Sequence, residues 1–243
     1  MEAWGLTDVG NVREQNQDYY QIAPLDEESL LAVVCDGMGG AKAGNVASRL
    51  TCEVFAEEVA RSFKKEMTLQ EMERVLRSAA SLANVSVYEH SQLSEEFRGM
   101  GTTLVAALLC PKGALVLNIG DSRAYHIGSE GVNCITTDHS VVQLMVQRGE
   151  LTPEQAKTHP SKNLITRAVG PGPQIVADIF TPTVQEGDFL LLCTDGLSNQ
   201  MADQEILFEV IHGARTDDCC QRLLEIAKER GAPDNVTSVL ISV

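Results

Sequence analysis

Four apolar runs in this chain meet an aspartate at one end. LLAVVC runs into Asp36 and Gly37, LVLNIG into Asp121 and FLLLCT into Asp195, while Asp234 in GAPDN stands immediately before VTSVLISV. Asp18, in VREQNQDYY, is a fifth acid bounded by potential strand. A lone Asp-Gly pair after a strand is an ordinary hairpin turn, because both residues tolerate the backbone angles it needs. Repeated placement of acids at strand ends is a stronger constraint. If the strands lie side by side, the carboxylates converge on one edge, where their repulsion demands protons or hard cations.

The runs read as strands over Leu30 to Cys35, Thr103 to Cys110, Ala114 to Ile119, Ala124 to Ile127, Phe189 to Cys193 and Val236 to Val243, from β-branched content and from the Gly, Pro or Asp at their ends. Spacings of three and four predict helices over Val46 to Lys65 and Leu69 to Ser91, and the Met72, Val75, Leu76, Ala79, Ala83, Val87 stripe of the second belongs to a core. Thr152-Pro153-Glu154-Gln155 is a capping box with proline at the first helical position. Two further helices are expected over Gln204 to His212 and Asp218 to Arg230. Apart from the capped helix, residues 139–170 read as irregular and polar, as a functional flap would be. No internal repeat or long linker breaks the 243 residues, so one domain spanning 1–243 is expected.

Charge narrows the partners. With 19 basic against 34 acidic residues the formal balance is -15, which opposes nonspecific attraction to nucleic acid or an anionic membrane surface and suits a metal ion better. The apolar runs are too short to span a bilayer and MEAWGLTDVG lacks a signal core, so a cytoplasmic location is expected. Seven cysteines without CxxC spacing argue against a disulfide framework and a structural zinc site.

Oxygen-only ligands select magnesium or manganese over zinc or copper, and a pair of such ions suits in-line displacement at phosphorus. Gly37 lets the backbone approach a ligand, so that its carbonyl can add a metal bond beside Asp36. Arg13, five residues before Asp18, offers a guanidinium fork that matches phosphate oxygens; the alternative is a surface charge. Other motifs fail. GMGGAKAG is neither GxGxxG nor a GxxxxGK[ST] loop. GDSRA lacks the second glycine of a nucleophile elbow, is followed by strand rather than helix, and leaves only His212 after Asp195, within a helix.

Together GNVREQNQD (10–18), DGMGG (36–40), MGTT (100–103), GDSR (120–123), DHS (138–140), Asp195-Gly196 and Asp234-Asn235, in this order, are the motifs of a known family. The chain resembles the metal-dependent protein phosphatases of type 2C, in their small bacterial form. The resemblance implies an α+β fold, a four-layer αββα sandwich of two antiparallel sheets between helices. It implies that Asp36 bridges two Mn2+ or Mg2+ ions, that Gly37 adds its carbonyl, that Asp195 and Asp234 hold the first ion, and that Asp18 acts through a water. Asp121 and Asp195 would hold a third, weaker ion, Arg13 would grip the phosphate, and residues 139–170 would cover the site. The implied reaction is hydrolysis of phosphoserine and phosphothreonine in proteins, a serine/threonine protein kinase among them, by direct attack of water and without a phosphoenzyme. Met38 stands where the eukaryotic pattern has histidine, Gln17 replaces the acid before Asp18, and Asn199 replaces a later aspartate. These departures imply weak second and third metals and an unassigned proton donor. The rival expectation is a catalytically silent module that binds metal or phosphoprotein.

Overall fold

The computed structural model describes residues 1–39, 43–213 and 215–243. Gly40, the last residue of DGMGG, lies outside them. In chain order the elements are β1 (Glu2–Asp8), β2 (Asp18–Pro24), β3 (Leu30–Met38), α1 (Ala43–Ser62), α2 (Leu69–Ser91), β4 (Gly101–Thr102), β5 (Leu104–Cys110), β6 (Gly113–Ile119), β7 (Arg123–Gly128), β8 (Gly131–Cys134), α3 (Val141–Gln147), α4 (Pro153–Thr158), β9 (Asp178–Phe180), β10 (Phe189–Cys193), α5 (Asp195–Ser198), α6 (Asp203–His212), α7 (Cys219–Glu229) and β11 (Val236–Ser242). They build two antiparallel sheets, one in the order β1-β11-β10-β7-β8 and the other β2-β3-β5-β6-β9, with β4 paired to β3.

Side-chain alternation stacks these sheets. Leu30, Ala32 and Val34 of β3 meet Leu190, Leu192, Val239 and Ile241 of the other sheet in the central layer. Leu31, Val33 and Cys35, one residue out of phase, face Phe55, Leu76 and Val87 of α1 and α2. Leu191, Cys193, Val236 and Leu240 pack in the same way against Ile206 of α6 and Leu223 of α7. The result is the expected αββα order, with both sheets buried on both faces.

α2 starts at Thr68, whose hydroxyl accepts from the Glu71 N–H while the Glu71 carboxylate accepts from the Thr68 N–H. α4 starts in the same way at Thr152 and Gln155, with Pro153 inside. α1 begins three residues earlier than the sequence spacing suggests and ends at Ser62; the chain then turns through a Met67 N–H to Lys64 carbonyl bond of 3.0 Å towards the Thr68 cap. The expectation of irregular structure from 139 to 152 needs correction. Ser140 caps α3, accepting from the Gln143 N–H at 3.2 Å, and the first turn lies on an antiparallel bridge from Ser140 to Ile165. A helix of two turns is too short for its apolar spacing to stand out. No helix among the described residues is long and apolar enough to cross a membrane.

Candidate metal centre

The two sheets deliver their acids to one end of the sandwich. Asp18 opens β2 directly opposite Asp36 of β3 in the antiparallel register. From the end of the other sheet come Asp195, two residues after β10 at the start of α5, and Asp234, two residues before β11. Asp121 lies in the crossing from β6 to β7, that is, from one sheet to the other. Arg13, Asp36, Gly37, Asp121, Asp195 and Asp234 line a common cavity of about 230 Å³, with Met38, Thr103, Asn163 and Ile165 among its other walls.

Asp18 is buried beneath this cavity. Its Oδ2 accepts from the Thr194 hydroxyl at 2.9 Å and the Thr237 hydroxyl at 2.7 Å, both from the opposite sheet, whereas its buried Oδ1 has no partner. Burial pushes its pKa up to about 7 against those two hydrogen bonds, with Asp195 and Asp234 adding repulsion. Burial, then the charge of Asp195, takes Asp121 to about 7. Asp36 is raised well above the carboxylate range by burial and by Asp18, Asp195, Asp121 and Asp234 in turn, and Asp195 is raised by burial and Asp234. These groups cannot all ionise in so small a volume without cations.

Backbone contacts hold the acids in place. The Asp36 N–H donates to Thr103 Oγ1 at 2.9 Å, and its carbonyl accepts from the Thr103 N–H at 2.9 Å and the Thr102 hydroxyl at 2.8 Å. The Gly37 N–H donates to the Gln17 carbonyl at 3.1 Å, and a Cβ on Gly37 would stand 2.2 Å from the Gly44 carbonyl oxygen. Glycine is therefore a packing requirement between the acid and α1. Asn235 fixes the Arg13 loop to β11: its Oδ1 accepts from the Gln17 N–H at 2.8 Å, and its amide donates to the Val9 and Gln15 carbonyls at 2.9 and 3.0 Å. Arg13 itself is half exposed and pairs through Nη2 with Asp234 Oδ2 at 2.8 Å, which raises its pKa. Asn199 donates to Asp195 Oδ2 at 3.0 Å.

Several of these supports escaped sequence reasoning. Thr194 and Thr237 carry no motif, and only their positions beside Asp195 and near Asp234 hint at them. Thr103, Arg123 and Asp138 sit inside the quoted motifs without an assigned role. Arg123 forms a two-pronged pair with Asp138, at 2.9 and 2.7 Å, behind the cavity. His139 is occupied as well, its Nδ1 accepting from the Gly120 N–H at 3.0 Å and its Nε2 lying 3.0 Å from Asp178 Oδ2.

Neither of the two candidate covalent nucleophiles, Ser122 and Cys35, is available. Ser122 is fully buried with its hydroxyl 2.7 Å from that of Thr103, and no imidazole hydrogen bonds to it, so it cannot be the serine of a triad. Cys35 is fully buried, and burial raises its thiol pKa well above the ordinary value. Among the described residues no group of three or more acids, histidines or cysteines is placed to hold one ion by itself. The carboxylates instead ring the cavity, leaving a hard cation to complete its shell with backbone carbonyl and water, as magnesium and manganese do. The unpartnered Asp18 oxygen, the raised acids and the oxygen-only donor set all fit such ions.

A four-layer sandwich with carboxylates from both sheets around one polar cavity defines a metal-dependent hydrolase. The chain matches the family of protein phosphatase 2C over residues 11–240. It is 35% identical over 243 residues to protein phosphatase PhpP of Streptococcus pneumoniae, covering 100% of this chain and 98% of that one. Its structure is similar to that of the S. agalactiae serine/threonine phosphatase, with a TM-score of 0.93, 33% identity and coverage of 100% and 99% of the two chains. It is also similar to the catalytic domain of serine/threonine protein phosphatase PstP in complex with two manganese ions, with a TM-score of 0.84, 32% identity and coverage of 98% and 96%. The chain belongs to the protein phosphatase 2C family and is a metal-dependent protein serine/threonine phosphatase.

Proposed function

We propose that this chain hydrolyses phosphoserine and phosphothreonine in proteins, a serine/threonine protein kinase among them, at a site for two Mn2+ or Mg2+ ions and a weaker third. The observation that carries this reading is the cluster of half-buried, mutually repelling carboxylates around one cavity, with a buried Asp18 oxygen left unpartnered. Asp36, the Gly37 carbonyl, Asp195 and Asp234 would hold the ion pair, with Asp18 acting through water, and Asp121 with Asp195 the third ion. When bound, the ions supply a water acidified towards hydroxide and neutralise charge on the attacked phosphoryl oxygens.

The chain's own residues do the rest. Arg13 uses one Nη for Asp234, which leaves other donors of its fork for phosphate oxygens. The Thr194 and Thr237 hydroxyls orient the Asp18 carboxylate so that its second oxygen points away from them, free to accept from a water. Asp36 is held by Thr102 and Thr103 on three sides, so the geometry is set before substrate arrives. Ser122 and Cys35 are both buried, which agrees with direct attack by water and no phosphoenzyme, as the family resemblance implies. Residues 139–170, carrying α3 and α4, border the site through Asn163 and Ile165 and would act as its flap.

The test is phosphate release from a phosphothreonine peptide with manganese, with EDTA, and with manganese restored. Turnover that disappears with the chelator and returns with the ion supports the reading. No release under any condition from folded protein would replace it with a phosphatase-like binding module.

A further inference from the structure

The carboxylate cavity shares two wall residues with a second, larger one. Met38 and Ile165 form a rim common to both, and beyond them lies an open cavity of about 560 Å³ walled by Ala168, Pro171, Ile175 and Val176. Val176 is 66% exposed, while Ile175 beneath it packs on the helix-side core. Among the described residues lining this cavity Arg167 is the one charged side chain, and its Nη1 lies 2.8 Å from Asp178 Oδ1 and 3.0 Å from His139 Nε2. The floor is anchored: the Gly170 N–H donates to Asn84 Oδ1 at 2.8 Å, and the Asn84 amide donates to the Gly172 carbonyl at 2.9 Å. On the opposite side the carboxylate cavity shares Asp121 and Asp195 with a narrower hollow of about 170 Å³ bordered by Lys157 and Lys162. The two ends of the trough are chemically different.

We propose that the apolar cavity beyond Met38 and Ile165 receives an apolar side chain of the protein substrate, within two residues of the phosphorylated serine or threonine. The proposal rests on the phosphatase reading given above. A segment that places its phosphoryl group among the carboxylates must lay its neighbouring residues over the rim. In an extended chain successive Cα atoms are about 3.8 Å apart and every second side chain points the same way, so the shared rim brings a near neighbour over this cavity. Its described walls are mostly apolar, with Thr166 and Gln174 among them and the one charge, Arg167, paired with Asp178, which favours a leucine- or phenylalanine-like side chain over a charged one. The chain's balance of -15 also disfavours long acidic segments away from the two lysines. Because the contact lies away from the reacting phosphorus, it binds ground state and transition state alike and shows in KM rather than kcat.

The test is steady-state kinetics with manganese on phosphothreonine peptides that differ only in the residue at each of the two positions before and after the phosphothreonine: leucine, alanine, glutamate or lysine. p-Nitrophenyl phosphate, which has no flanking residue, is the control, and wild type is compared with Val176→Ser and Val176→Glu. At one position leucine is expected to lower KM roughly tenfold relative to alanine at similar kcat, as burial of one large apolar side chain implies. Val176→Glu should erase that preference and Val176→Ser should weaken it, with p-nitrophenyl phosphate turnover unchanged in both. Equal KM for leucine and alanine at every position, a leucine preference untouched by both variants, or a preference for glutamate alone would overturn the proposal; the last would assign recognition to the Lys157 and Lys162 end. Failure of wild type to hydrolyse p-nitrophenyl phosphate with manganese would instead overturn the phosphatase reading, and the apolar subsite with it.

Discussion

At the scale of single residues, Asp36 concentrates the conflict between folding and function. Four other acids raise its pKa on top of burial, so the metal-free chain disfavours its charged form. Asparagine is the neutral isostere of that acid, and Thr102 and Thr103 bind only the Asp36 backbone, which the substitution leaves in place. Asp36→Asn should therefore fold, and in EDTA it should melt no lower than wild type. Activity should fall by on the order of 10³-fold, because the anionic ligand proposed for both ions is gone. Phosphate release and thermal melts on the same preparation check this; near-full activity would remove Asp36 from its bridging role. The acids themselves were legible in the sequence because each stands at a strand end. Their hydroxyl and amide supports were not, since Thr194, Thr237 and Asn235 meet Asp18 and the Arg13 loop across 176 to 226 residues of chain.

At the scale of elements, the junction between β3 and α1 controls where the acids point. A Cβ on Gly37 would stand 2.2 Å from the Gly44 carbonyl oxygen and 2.6 Å from that of Gln17, and neither backbone atom can rotate away. Gly37→Ala is expected to cost about 1–3 kcal/mol, as overpacking does, and to raise the manganese concentration needed for half-maximal activity by displacing the Gly37 carbonyl. Gly172→Ala, where a Cβ meets nothing within 4 Å, should leave both unchanged. Urea unfolding and manganese titration separate the two effects, and a Gly37→Ala protein as stable as wild type would show that the junction yields. The strands read from sequence, β3, β5, β6, β7, β10 and β11, are the interior ones. They are buried on both faces, so their apolar runs are nearly continuous. The edge strands β1, β8 and β9 are partly exposed and are not legible in the sequence, and β2 shows only as potential strand beside Asp18, because their side chains are only partly buried.

At the scale of the whole molecule, the acids tie stability to pH and to metal. Asp18 and Asp36 belong to one sheet and Asp195 and Asp234 to the other, so their repulsion pushes the layers apart while the Thr194 and Thr237 hydroxyls on Asp18 hold them together. An unfolded aspartate ionises near 3.8, whereas native Asp18 and Asp121 ionise at about 7. Between those values the native chain holds more protons than the unfolded one. The stability these groups contribute is thus fully present below 3.8 and is lost as pH rises through about 7. Cations replace the protons, and they compete best where the carboxylates are already ionised. Metal-free protein should accordingly melt lower at about pH 8 than at about pH 5.5, and manganese should raise Tm more at the higher pH. Calorimetry in EDTA and in manganese at the two pH values tests both halves. A metal-free Tm that rises with pH, or a manganese shift equal at both, would mean that the carboxylates are not the groups that couple the two sheets.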